Sequence, residues 1–147
     1  MEPLSETQFI LNIVLAAIAG VCVGIERQMK NKNAGLKTYA LVALGASVFI
    51  GISFQYANLD YVDFSRITGQ VVVGVGFLGA GVIIKRKNHV SGIATAAAIW
   101  CSAALGCLAG LSMYIELAAT TGLIVIINLV MGYYNRKMVK TKNNNNT

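Results

Sequence analysis

The segment Asp63-Phe-Ser-Arg66-Ile-Thr-Gly-Gln70-Val-Val-Val-Gly74-Val-Gly76-Phe-Leu-Gly79-Ala-Gly81-Val-Ile-Ile84 decides how the whole chain must be read. It opens on a carboxylate, a guanidinium and an amide, then runs apolar and glycine-dense until Lys85-Arg86-Lys87 stops it. In water, Gly74, Gly76 and Gly79 would spell G-x-G-x-x-G, a dinucleotide-binding fingerprint that needs a strand before it and a helix after it. In lipid, the same glycines would let helix backbones approach closely. The choice between the two depends on the solvent around the segment.

Composition makes that choice. Hydrophobic residues make up 56% of the chain and charged residues 12%, with a mean hydropathy of +0.64, whereas soluble domains carry about 25% charged residues. Outward from the opening segment, apolar runs recur at about 9–25, 38–56, 67–84, 93–111 and 117–134, separated by short polar connectors. Each is close to the roughly 20 residues a helix needs to cross a bilayer, and no stretch shows the alternation of a barrel strand. The first run is not followed by a small-residue cleavage site and polar sequence, so it reads as a span and not as a signal peptide. The expectation is an all-α membrane protein, a bundle of five transmembrane helices over residues 1–136, with 137–147 a disordered cytoplasmic tail.

Lys and Arg fix the expected orientation, because they concentrate on the cytoplasmic side of short loops. Arg66 is the one cation of the head and the second and fourth connectors; the others lie in the first loop, the third loop and the tail. The N-terminus, with Glu2 and Glu6, is therefore expected outside and the C-terminus inside. The net charge of +6 then belongs to a rim facing anionic lipid, and nucleic-acid binding is not expected. Cys22, Cys101 and Cys107 fall inside spans and read as small packing residues. With His89 alone among cations and no nucleophile–base pair visible, neither a cofactor nor an enzymatic activity is expected.

Small residues mark the expected helix contacts. Gly20 and Gly24 form one G-x-x-x-G, Gly106 and Gly110 another, and Thr95 adds a further small side chain. Gly74, Gly76, Gly79 and Gly81 are spread around the third helix, which is accordingly expected at the centre of the bundle, with the fourth folded back on it through the basic turn.

Two polar clusters remain. Asp63, Arg66 and Gln70 stand at i, i+3 and i+7, one helical face, where they could line an aqueous vestibule. Asp63 is also the best candidate for a metal ligand, because Mg²⁺ favours carboxylate oxygen and retained water. The alternative is an interfacial ion pair worth about 0–1 kcal/mol with no functional role. Glu26-Arg27-Gln28, followed by Lys32, Gly35, Lys37 and Thr38, reads from spacing as a helix end with solvated charges. Asn12 and Asn128, mid-span, are expected to make interhelical hydrogen bonds.

These same segments carry a resemblance. Gly24-Ile-Glu26-Arg27-Gln28, Lys32-Asn-Ala34-Gly35-Leu36-Lys37-Thr38 and Leu41 to Ala46 resemble the first signature of the MgtC/SapB family. Asp63 to Ile84 resembles the second, and Val90 to Ala97 with Trp100 and Ala103 to Gly106 resembles the third. The resemblance implies a multi-pass protein of the bacterial cytoplasmic (inner) membrane, tied to survival at low Mg²⁺ and, in some members, to intracellular growth and virulence. For the best-known branch it implies a regulator that restrains the proton-driven ATP synthase. That branch carries a cytoplasmic C-terminal domain that this chain is expected to lack, and Lys37 and Tyr39 stand where Arg and His are usual. The expected function is non-enzymatic: magnesium or ion homeostasis through binding of a membrane partner such as the ATP synthase, or of a second copy, a dimer being favoured. The alternative is a small ion or solute permease, for Mg²⁺ or another cation, with its path along Asp63, Arg66, Gln70 and the glycine face.

Overall fold

Ser5 starts the first helix. Its hydroxyl accepts a hydrogen bond from the Gln8 N–H at 3.2 Å, satisfying one of the amides that a helix N-terminus leaves unpaired, and α1 follows over Glu6–Met29. The computed structural model describes residues 4–56, 63–87 and 89–144, so Glu2, Asp60 of the second connector and the last three residues of the tail lie outside it. After α1 come α2 (Leu36–Gln55), α3 (Phe64–Gly81), the strands β1 (Ile84–Arg86) and β2 (His89–Ser91), α4 (Ile93–Gly110) and α5 (Tyr114–Asn144).

The basic turn is a small antiparallel hairpin, with Ile84 opposite Ser91, Lys85 opposite Val90 and Arg86 opposite His89. It ends α3 before Ile84, three residues short of the expected span. At its exit Gly92 takes φ 94° and has no room for a side chain beside the Val82 carbonyl. A glycine is required at that corner both by its dihedral and by its neighbour. The hairpin folds α4 back onto α3, as the short connector implied.

The bundle is built on α1, α2 and α4, and α4 touches every other helix. This corrects the expectation that α3 is central: α3 packs mainly on α4 and α2. The reason lies in which helix presents small residues on several faces. On α4, Thr95, Ala98, Ser102, Ala103, Gly106, Ala109 and Gly110 are all buried, whereas α3 intersperses its glycines with exposed Val72, Val73, Phe77 and Leu78. A Cβ on Gly106 would overlap the Ala43 carbonyl and sit 2.8 Å from the Ala46 Cβ, and one on Gly110 would sit 2.8 Å from the Ile50 Cβ. Across the α1–α2 seam, Cβ atoms on Gly20 and Gly24 would lie 2.8 Å from Ala40 Cα and 2.6 Å from Leu36 Cα. Both G-x-x-x-G pairs therefore do what their spacing implied. The Ser102 hydroxyl adds a hydrogen bond to the Tyr39 carbonyl at 2.8 Å, of the order of 0.6 kcal/mol for such an interhelical bond in lipid.

The surface is apolar where a soluble protein would be charged. Ile10, Phe49, Phe77 and Ile115 are exposed, while much of the interior is alanine. Helices α1, α2, α4 and the Tyr114–Tyr134 part of α5 are long and apolar enough to cross a membrane, as expected of a multi-pass membrane protein. Tyr114–Tyr134 lies along the outside of the bundle with little of its surface covered. The backbone of α5 stays helical to Asn144, where the sequence reading places a disordered tail from residue 137. No Gly or Pro follows Gly132, and a helix already formed extends at one hydrogen bond per added residue.

Asp63 has a local role in this architecture. Its carboxylate caps α3, accepting from the Ser65 N–H at 2.9 Å and the Ser65 hydroxyl at 2.7 Å. Those hydrogen bonds hold the carboxyl below its ordinary value of 3.8. A carboxyl whose folded-state pKa is depressed stabilises the fold above its unfolded pKa, and that contribution is lost as pH falls through the folded value. The Ser65 amide resonance is accordingly expected to titrate with a midpoint below 3.8; Asp63→Ala should fray the first turn of α3 and abolish the titration.

Candidate functional site

Among the described residues the buried charge is at the end of α1. Glu26 and Arg27 are each only 6% exposed, so the cluster that spacing alone assigned to a solvated helix end is inside the bundle. Lys30, one turn beyond Glu26, closes an i,i+4 ion pair with its Oε1 and donates to the Asn128 carbonyl on α5 at 3.2 Å. Gly132, one turn further along α5, makes room for this ammonium: a Cβ there would strike Lys30 Nζ. Arg27 points to α4, where its Nη2 donates to the Thr95 hydroxyl at 3.0 Å. Tyr39 on α2 is fully buried and within electrostatic reach of both Arg27 and Glu26.

These groups line a cleft of about 1090 Å³ between α1, α4 and α5. One part of its wall is polar, with Glu26, Arg27, Lys30, Asn31, Lys32 and Asn33; the other part is apolar, with Ala97, Cys101, Ile124, Ile127 and Met131. Glu26 Oε2, Arg27 Nε and Asn128 Nδ2 are buried without a hydrogen-bond partner. Buried polar atoms are nearly always satisfied, so these three atoms leave the cleft with hydrogen-bonding capacity for water or a ligand.

The rest of the first-loop motif divides between structure and surface. Gln28 accepts from the Leu36 N–H at 3.3 Å, capping α2, and Gly35 is the residue that leaves space for the Gln28 amide. Lys32 is exposed at the cleft, and Lys37 and Thr38 are exposed away from its lining. The proposed polar face of α3 is not brought into this site: Asp63, Arg66 and Gln70 are all exposed. Among the described residues the ion pair is Glu26–Lys30, not Asp63–Arg66. Gln70 borders an apolar groove of about 460 Å³ between α2 and α3, with Phe49, Val71 and Gly74. Among the described residues no three His, Cys, Asp or Glu side chains come together, and Asp63, the expected metal ligand, is engaged as a cap.

The helix-packing candidates divide as well. Gly20, Gly24, Gly106 and Gly110 face tight contacts, Gly79 meets Ala96 at an ordinary 3.6 Å, and Gly74, Gly76 and Gly81 face open space within this chain. Thr95 turns out to be the partner of Arg27, and Trp100 is half exposed. Asn12 makes its expected cross-helix bonds, donating to Ser112 Oγ at 3.1 Å and accepting from the Tyr114 hydroxyl at 2.9 Å. Among the described residues Asn128 Nδ2 has no partner, and its backbone carbonyl is the group used. Sequence reading missed Lys30 and Gly132, although Glu26/Lys30 and Asn128/Gly132 each stand four apart on a helix.

Comparison with known proteins follows the same segments. The model of the MgtC family matches residues 13–137. The chain is similar to the Escherichia coli protein named "Putative magnesium transporter YhiD", 47% identical over 113 residues, which are 73% of this chain and 53% of that protein. It is similar to "Protein MgtC" of Salmonella typhimurium, 44% identical over 123 residues, 84% of this chain and 52% of that protein. An uncharacterized Synechocystis protein is 39% identical over 122 residues, 83% of this chain and 51% of that one. The chain thus spans about half the length of the curated relatives it matches. No solved structure matches it.

Proposed function

Because the chain belongs to the MgtC family, we propose that it is a non-enzymatic protein of the bacterial cytoplasmic membrane that serves magnesium homeostasis by binding a membrane partner or a second copy of itself. In this reading all five helices cross the bilayer, α3 included, with the N-terminus outside and the basic loops in the cytoplasm. The proton-driven ATP synthase is the partner to which the family resemblance points.

One observation carries the reading. Gly74, Gly76 and Gly81 face open space, although a helical glycine costs about 1 kcal/mol relative to alanine. Small residues favour helix association in lipid because they let another backbone approach, and among the described residues no atom of another helix comes within 4 Å of where a Cβ would lie at these positions. A photo-cross-linker at Phe77, which is exposed beside these glycines, should therefore trap either a dimer or a second membrane protein in cells kept at low Mg²⁺. Gly76→Leu should abolish the product without unfolding the chain. A monomer in lipid with no cross-linked product would end this reading.

The permease path expected from the sequence runs along Asp63, Arg66 and Gln70, which are all exposed; the observation that favours a permease is instead the cleft that reaches buried Glu26. Arg27 and Lys30 beside that carboxylate oppose a cation there. In liposomes, wild-type Mg²⁺ flux equal to that of empty vesicles would exclude it; flux lost in Glu26→Gln would favour it over the binding role.

A further inference from the structure

Among the described residues Arg27 is a buried cation without a counter-ion of its own. Glu26 is paired with Lys30, and the groups that the Arg27 guanidinium meets, the Thr95 and Tyr39 hydroxyls, are both neutral. A buried charge left uncompensated costs several kcal/mol, so the arrangement calls for an anion. Counting Glu26 against Arg27, Lys30 and Lys32 leaves two positive charges on the cleft wall. The unsatisfied atoms define the ligand further. Arg27 Nε and Asn128 Nδ2 are donors in need of acceptor oxygens, and Glu26 Oε2 is an acceptor in need of a hydroxyl. Phosphate matches the guanidinium fork in charge and geometry. Apolar Cys101, Ile124 and Ile127 continue the wall from the polar groups toward the middle of the spans, and Ile127 is exposed along α5.

We propose that this cleft is a binding site for a hydroxyl-bearing phosphate ester, of the kind found in the headgroup of an anionic glycerophospholipid. The phosphate lies against Arg27 and Asn128, with Lys32 at the rim. A headgroup hydroxyl donates to Glu26 Oε2, and the acyl chains run along Ile127 and Ile124 toward the bilayer centre. Lys30, held by Glu26 and the Asn128 carbonyl, is a positioning residue: it fixes the Glu26 carboxylate with one oxygen free.

The test uses the full chain in nanodiscs of phosphatidylcholine with a minority of phosphatidylglycerol, and native mass spectrometry of the lipid retained after release into detergent. Wild-type protein should retain phosphatidylglycerol in preference to phosphatidylcholine. Arg27→Gln should lower that preference by about tenfold, the scale of losing a charge-assisted hydrogen bond to phosphate. Lys32→Gln, an exposed change that leaves the fold intact, should lower it more modestly and keeps the test decisive if Arg27→Gln does not fold. Lys85→Gln, on the hairpin, should leave it unchanged. Soluble glycerol phosphate supplies the second arm: if it raises the unfolding temperature of wild type but not of Lys32→Gln, the phosphate ester comes from solution and not from lipid, and the lipid assignment falls while the site stands. Equal retention of the two lipids together with no effect of glycerol phosphate overturns the proposal. So does an equal loss of preference in Lys32→Gln and Lys85→Gln, which would make it a property of the basic rim as a whole.

Discussion

Gly106→Val is expected to separate α4 from α2 and to leave little folded protein. A Cβ at position 106 overlaps the Ala43 carbonyl and lies 2.8 Å from the Ala46 Cβ, and neither is the far end of a flexible side chain that could swing away. The helices must move apart, and the packing between them then fails along the whole seam, including Gly110 against Ile50 and the Ser102–Tyr39 bond. Overpacking typically costs 1–3 kcal/mol and occasionally more; with a backbone atom as the obstacle, roughly 3 kcal/mol is expected here. In lipid no hydrophobic drive between helices compensates the lost contact. The measurement is the unfolding midpoint in mixed micelles under increasing denaturing detergent. Gly76→Ala, in open space, is the control: it should leave the midpoint unchanged or raise it by an amount of up to about 1 kcal/mol. Equal behaviour of the two variants would show that α2 and α4 do not pack as described.

Glu26→Ala is expected to have the next largest effect. The carboxylate is 6% exposed and its partner Lys30 has 16% of its side chain exposed. Removing one member of a buried pair costs 3–5 kcal/mol because the other charge is left behind, and the residual exposure of Lys30 places the expected loss near the lower end, about 3 kcal/mol. The double change Glu26→Ala with Lys30→Met should recover most of it, because removing both charges removes the desolvation penalty along with the attraction. The unfolding midpoints of the single and double variants give this directly. If the single change is neutral, the pair is solvated and the cleft is not the buried electrostatic site described.

Hydropathy made the helical membrane fold legible, and the G-x-x-x-G spacing of Gly20/Gly24 and Gly106/Gly110 identified two real contact surfaces. The same reasoning put α3 at the centre by counting its glycines, without asking what stands between them. Exposed Val72, Val73 and Phe77 prevent a close approach on those sides from within this chain. Gln70, seven residues beyond Asp63, is exposed all the same, because position along a helix does not imply burial when the helix lies at the edge. Glu26 and Arg27 looked solvated because they end an apolar run, yet α4 and α5 cover them.

Solvent preference is a sum over neighbouring residues, and lipid admits few ways of satisfying a backbone; the sequence by itself therefore determined that this is a membrane protein, that it is helical, and about where its helices lie. The meeting of Arg27 with Thr95, 68 residues away, and of Lys30 with the Asn128 carbonyl, 98 residues away, was decided only by the tertiary structure. Such pairings depend on which helix faces turn toward each other, and that is fixed by close packing of small residues on α4 against two neighbours at once. No local pattern contains that information.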